Sequence, residues 1–393
     1  MMENKKKGAL LGAAFLMATS AIGPGFLTQT TVFTQSLGAS FGFVILVSVI
    51  IDIGVQLNIW RVITVSEMRA QQIANQLVPG LGAFVSLLIV LGGLAFNIGN
   101  VAGAGLGLNA LLGIPVLSGA VLSAGLAIAI FIVREARKAM DLFAQAMGFV
   151  MILTIIYIAV TSAPPVGEAV FHTVMPEKVD LITIITLVGG TVGGYITFSG
   201  GHRLLDAGIK GAASLKQVDR SAVTGISVAS LIRALLFLAS LGVVSQGLSI
   251  DAENPTGSVF QLAAGPLGYK LFGLVMFSAA ITSIIGSAYT SVSFIKTFHA
   301  KINDNENRVI IAFIIISALV FVTIGKPVKL LIMAGAINGF ILPLTLLIIL
   351  IAAHKEKIIG DYVHPKWLTA IGGVIVAVMT YMSLQVLFDL VGK

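Results

Sequence analysis

The chain has 393 residues, of which 57% are hydrophobic and only 10% are charged. A soluble domain carries about 25% charged residues, so a water-facing globule of this size is excluded and lipid must solvate much of the surface. There is no cysteine, which removes disulfides, thiolate metal sites and cysteine nucleophiles. The net charge of +7 sits in short loops between apolar runs, which is the pattern of orientation signals and not of a nucleic-acid surface.

Backbone groups in lipid must bond internally, which leaves helices or a closed barrel. The apolar runs are continuous over about twenty residues, the helical length. In chain order they fall at 9–36, 40–62, 81–109, 115–133, 139–161, 181–208, 221–247, 269–296, 308–325, 328–353 and 367–390, which predicts about eleven spans. Lys5-Lys6-Lys7 before the first run has the look of a signal peptide. The run continues through Pro24 with no clear small-residue cleavage site, so it is expected to be a retained span. Segment 66–78 is polar, precedes Pro79 and predicts a short interfacial helix. The connections 162–180 and 209–220 are too short for a soluble domain.

Lys and Arg cluster in alternate loops. One set holds Lys5 to Lys7, Arg61, Arg69, Arg134, Arg137, Lys138, Arg203, Lys210, Lys216, Arg220, Lys296, Lys301, Arg308, Lys355 and Lys357; the other holds far fewer, Lys178, Lys270, Lys326 and Lys329. The asymmetry predicts a cytoplasmic N-terminus and, with an odd span count, a C-terminus outside.

Two spans are interrupted. The first contains Ile22-Gly23-Pro24-Gly25-Phe26, where proline removes a donor and the glycines ease departure from helical geometry. The sixth contains Gly189-Gly190-Thr191-Val192-Gly193-Gly194-Tyr195. If residues 9–161 and 181–353 are two halves of opposite topology, with 367–390 appended, the breaks hold matching positions. Paired broken helices in inverted halves point to a transporter's central site. Glycine also serves plain helix packing, which is the expectation for Gly99, Gly103, Gly105 and Gly107. The candidate substrate-binding residues at the breaks are Gly23, Gly25, Phe26, Thr28, Gln29, Thr191, Gly193, Gly194 and Tyr195. A half-helix starting near Gly25 aims free N–H groups and a positive dipole end inward, which suits a carboxylate.

Ionisable residues at membrane depth are costly and serve as functional candidates. Asp52 and Arg233 lie at comparable depths of spans 2 and 7, so they are expected to pair, either as a static tie or in coupling. His202, near one end of span 6, is a candidate proton shuttle or a solvated loop histidine. The chain carries no phosphate-binding loop, no HExxH and no credible Ser/His/Asp set, so no enzymatic role and no cofactor are expected.

Several stretches resemble the natural resistance-associated macrophage protein family. They are Leu11 to Phe15 through Pro24-Gly25, Leu108-Asn109-Ala110-Leu111-Leu112-Gly113-Ile114-Pro115, Ile341-Leu342-Pro343 and Ile359-Gly360. The resemblance implies an all-α integral membrane protein with the leucine-transporter-type inverted repeat of the APC superfamily. It also exposes a departure. The family's first break reads Asp-Pro-Gly-Asn, where this chain has Gly23-Pro24-Gly25-Phe26. Its sixth reads Met-Pro-His, where this chain has Gly193-Gly194-Tyr195. An Asp and a Glu of its third span align with Asn97 and Asn100, which join the candidate substrate residues. Divalent cations need oxygen, nitrogen or sulfur donors, usually anionic ones. No metal site is therefore expected at the breaks.

The opening Ala18 to Gln29 resembles a bacterial branch of the family without metal motifs, often encoded beside 5-oxoprolinase subunits. That association implies 5-oxoproline as a candidate cargo. The expectation is a secondary transporter of a small organic carboxylate or amino-acid-like solute, coupled to H⁺ or Na⁺, in a bacterial inner membrane. No nucleic acid and no obligate protein partner are expected. The alternatives are a divalent metal transporter with a non-standard site and a non-transporting membrane sensor.

Overall fold

The computed structural model describes residues 22–296, 298 and 300–391. It is helical throughout. In chain order the helices are α1 (Pro24–Leu37), α2 (Phe41–Ser66), α3 (Ala70–Leu77), α4 (Leu81–Leu112), α5 (Val116–Ile132), α6 (Arg134–Thr161), α7 (Val166–Val174), α8 (Leu181–Thr191) and α9 (Tyr195–Asp206). Then follow α10 (Leu215–Ser245), α11 (Pro255–Ile295), α12 (Ala300–Asp304), α13 (Glu306–Ile324), α14 (Pro327–Ala352), α15 (Glu356–Ile359) and α16 (Lys366–Val391).

Each apolar segment coincides, in its described part, with a helix or a broken helix. The start of the first span, residues 9–21 with Lys5 to Lys7 before it, lies outside the described residues. Among the described residues eight helical stretches are long and apolar enough to cross a membrane, and nine if 146–161 and 166–174, bent by 105°, form one span. Hydropathy along the chain predicts eleven. One of the eight, Pro24–Ser66, contains both α1 and α2, and α5 falls short at 17 residues. The predicted interfacial helix is α3. The loop expected before span 8 is helical instead. It starts at Pro255 under an Asn254 cap that accepts from Gly257 N–H at 3.1 Å, and it breaks at Ala264-Gly265 ahead of Pro266.

The surface is inverted relative to a soluble protein. Ile50, Phe149, Val160 and Leu231 are 60%, 64%, 73% and 62% exposed, while Gln29, Asn58 and Asn97 are wholly buried. Lipid makes this arrangement favourable, and it removes the hydrophobic drive between helices, so close packing must replace it. The span-3 glycines supply that packing. A Cβ at Gly103 would stand 2.2 Å from Pro24 Cβ, one at Gly105 2.3 Å from Val116 O, and one at Gly107 2.6 Å from Phe277 N. Small residues thus let α4 run against α1, α5 and α11. The same device joins α8 to α14, where a Cβ at Gly189 would stand 2.1 Å from Gly335 O and 2.3 Å from Gly339 N.

Polar ties hold the end of the bundle that carries Arg61, Arg69 and Lys210. Arg61 grips both oxygens of Asp219 through Nε and Nη2, and its Nη1 donates to Tyr362 Oη at 3.2 Å. Arg69 pairs with Asp206 at 2.6 Å and Lys210 with Glu67 at 2.7 Å. His364 meets Asn58 Oδ1 at 2.9 Å, and Asn58 donates to Leu368 O at 3.1 Å, which ties α2 to α16.

Candidate functional site

The two breaks meet inside the bundle. At the first, Gly23 is extended (φ −100°, ψ −173°) and precedes α1 with no side-chain cap; Pro24 occupies the first turn, where its missing N–H costs nothing. At the second, α8 ends at Thr191, and Gly194 precedes α9 at φ +48°, ψ −118°, again with no side-chain cap. The first N–H groups of a helix have no partner within it. Both α1 and α9 therefore begin at membrane depth with free donors. Residues 22–31 and 183–202 are buried throughout, so the site is closed to solvent.

Side chains bridge the breaks. Gln29 Nε2 donates to Leu331 O on α14 at 2.9 Å, while its Oε1 has no protein partner and lies where a Cβ at Gly190 would be 2.6 Å away. Tyr195 stacks edge-on against Phe96 of α4, with ring centroids 5.2 Å apart. The threonines are less available than expected. Thr30 returns its hydroxyl to Phe26 O at 2.7 Å, and Thr31 contacts Leu27 O, Ser240 and Thr256. Thr28 is buried beside them. Back-bonding of this kind is common for threonine within helices.

Asp52 and Arg233 are neighbours, with no direct ion pair between them among the described residues. Arg233 Nη1 donates to Thr191 Oγ1 at 2.9 Å, and Thr191 gives its own hydroxyl proton to Leu187 O at 2.9 Å; Asp52 lies near enough for its charge to act on Arg233. Among the described residues Asp52 Oδ1 and Arg233 Nε and Nη2 have no hydrogen-bond partner. The guanidinium lies 4.2 Å from the centroid of the Phe26 ring. Its cation also sits at the C-terminal end of α8, where the helix dipole favours positive charge.

Two expected residues fall elsewhere. Asn97 does not face the breaks: its Nδ2 donates to Ser317 Oγ at 3.0 Å and its Oδ1 accepts from Ser287 Oγ at 2.9 Å. Asn100 lies one turn on and about 60° further round the same helix. It shares a helical stripe with Phe96, which touches Tyr195, and Gly103, which touches Pro24, and its buried Nδ2 has no partner among the described residues. His202 is neither a solvated loop residue nor beside Asp52. It is buried on α9, accepts from Ala70 N–H at 3.1 Å through Nε2, and stacks 4.8 Å from Phe294. It thereby caps the start of α3. Asn97→Ala should cost about 1–2 kcal/mol by leaving two serine hydroxyls short of a partner, read as a lower thermal midpoint. Asn100→Ala should stay within about 0.5 kcal/mol of the parent and alter uptake instead.

The residue that sequence reasoning missed is Asn338 of α14. Its Nδ2 donates to Gly92 O at 3.0 Å and to Ala334 O at 2.9 Å, and its unpaired Oδ1 closes over Gly194. A lone amide in an apolar span, Ala336-Ile337-Asn338-Gly339, was the available signal.

The donor set decides what the site can hold. Gly23, Gly25, Phe26, Gly193, Gly194 and Tyr195 offer no carboxylate, thioether or imidazole. Among the described residues no three His, Cys, Asp or Glu side chains come together as a metal site.

A family model described as "Natural resistance-associated macrophage protein-like" matches residues 14–389. The chain is 60% identical to YcsG of Bacillus subtilis, an uncharacterized membrane protein, over 98% of each chain. It is 23% identical to the divalent metal cation transporter MntH of Klebsiella pneumoniae, over 96% of this chain and 94% of that one. Among solved structures it is similar to a mutant of the Eremococcus coleocola manganese transporter, at TM-score 0.75 and 16% identity over 96% of this chain and 85% of the other. It is also similar to MhsT in complex with L-phenylalanine, at TM-score 0.64 and 17% identity over 95% and 98%. These two likenesses place the fold in the leucine-transporter class.

Proposed function

The chain belongs to the natural resistance-associated macrophage protein family, and from that premise we propose that this membrane transporter moves a small organic carboxylate by alternating access through the closed site between its two breaks. The carrying observation is the donor set. A divalent cation must exchange its hydration shell for oxygen, nitrogen or sulfur ligands; the residues of the two breaks carry no anionic side chain, and the one carboxylate beside them, Asp52, is balanced by Arg233. Two helix N-termini and the Arg233 cation gather there instead, and that field favours an anion. The fold accommodates an organic amino acid in MhsT, whose structure holds L-phenylalanine. Coupling to H⁺ or Na⁺, a bacterial plasma membrane and a cytoplasmic N-terminus complete the reading, the last on the Lys and Arg asymmetry.

A second reading is supported by the comparisons, and more strongly than the first: the relatives of named function are a divalent metal cation transporter and a manganese transporter. On that reading the cation uses a site other than the family's usual one. Uptake into proteoliposomes separates the two. The screen sets 5-oxoproline, other small carboxylates and amino acids beside Mn²⁺ and Mg²⁺. The expected result is uptake of a carboxylate. Uptake of Mn²⁺ that is abolished by substitution of Gly23 or Tyr195 would overturn the proposal in favour of the metal.

A further inference from the structure

Burying a guanidinium is costly unless its N–H groups are used. Arg233 is 2% exposed, yet only its Nη1 is bonded. Nε and Nη2 have no partner among the described residues. Those two nitrogens form the edge of the fork that grips a carboxylate through two parallel bonds. Arg61 of the same chain uses that same edge on both oxygens of Asp219. On Arg233 the equivalent edge is open.

The edge is also oriented. Nη1 is tied to Thr191, the last residue of α8, and the guanidinium rests over the Phe26 ring in the first turn of α1. The fork is therefore held by one residue from each interrupted helix. Asp52 balances its charge from α2 but does not occupy the edge: Asp52 Oδ1 is itself unpaired, and among the described residues no direct bond joins the two. A static ion pair would use the bidentate edge. This arrangement leaves it free.

We propose that the Nε–Nη2 edge of Arg233 is the anchor for the carboxylate of a monoanionic organic substrate, which it grips with two bonds between the broken helices. This rests on the organic-carboxylate reading of the cargo. It moves Arg233 from a structural tie to the group that selects charge in the substrate. A primary amide of the same shape keeps at most one of the two bonds, through its carbonyl oxygen, turns an N–H donor toward the other, and brings no charge to the buried cation.

The test uses the purified full chain, by thermal shift and by competition for uptake in proteoliposomes. The probes are 5-oxoproline and its primary amide, which keeps the shape and removes the charge. The parent protein should prefer the acid over the amide by at least about tenfold. Arg233→Lys keeps a cation but loses the fork, and acid affinity should fall by about tenfold. The double variant Asp52→Asn/Arg233→Met removes both charges together and should bind acid and amide alike. Undiminished preference for the acid in Arg233→Lys overturns the inference while leaving the cargo reading intact. Should the parent take up Mn²⁺ and respond to no carboxylate, the cargo reading fails, and the inference fails with it.

Discussion

Replacing Arg233 with methionine is expected to destabilise the protein by about 3–5 kcal/mol, and replacing Asp52 with asparagine as well is expected to restore much of the loss. Both groups are buried, at 2% and 1% exposure. Each charge has the other as its neighbour. Removing one leaves the other uncompensated in a medium that solvates it poorly. Removing both leaves a neutral site that Met and Asn can fill. The measurement is the thermal midpoint in detergent for the parent, the two single variants and the double. A double variant as damaged as the sum of the singles would show that the two charges are independent.

Gly194→Ala should cost about 3 kcal/mol or more, the largest effect expected from adding a single methyl group to this chain. Two effects add. The backbone sits at φ +48°, ψ −118°, a conformation that L side chains rarely adopt. The new Cβ would also stand 1.7 Å from Asn338 Oδ1. The amide cannot swing aside freely, because Nδ2 is held by Gly92 O and Ala334 O, and a Cβ at Gly92 would itself stand only 2.4 Å from Oδ1. Gly265→Ala is the internal comparison. It has φ +64° and nothing within 4 Å of the added carbon, so it carries backbone strain alone, about 1–2 kcal/mol. Adding Asn338→Ala to Gly194→Ala should recover the steric part and leave the strain. Folded yield from gel filtration and the thermal midpoint report both. Equal losses at Gly194 and Gly265 would mean that Asn338 does not close the second break.

Were Gly194 so costly, the break would be a built feature and not a lapse in helix propensity. The same geometry explains why a short α9 can start inside the bundle. Gly200 and Gly201 bring it against α2, where Trp60 fills the gap and donates to Thr197 O at 2.8 Å. A methyl at Gly200 would stand 2.3 Å from the indole.

What this chain's sequence determined by itself was local and additive. Hydropathy set each span, because every twenty-residue run in lipid must bond its own backbone wherever its neighbours lie. Gly23-Pro24-Gly25 and Gly193-Gly194 marked the breaks, because the lost donor and the missing Cβ act within one turn. The loss of metal donors was equally legible, since it is a matter of residue type. What only the tertiary structure decided was partnership. Asn97 and Asn100 are chemically identical and three residues apart, which leaves them only about 60° apart around the helix. How α4 packs on α11 and α13 gives Asn97 two serine partners and leaves Asn100 Nδ2 with none among the described residues. His202 became a buried helix cap because α3 folds back to meet it. Asp52 and Arg233 were expected to pair. They lie near each other with no direct bond among the described residues, and Arg233 turns one arm to Thr191 because α8 ends beside it. The open edge of Arg233 is the consequence, and no pattern along the chain records it.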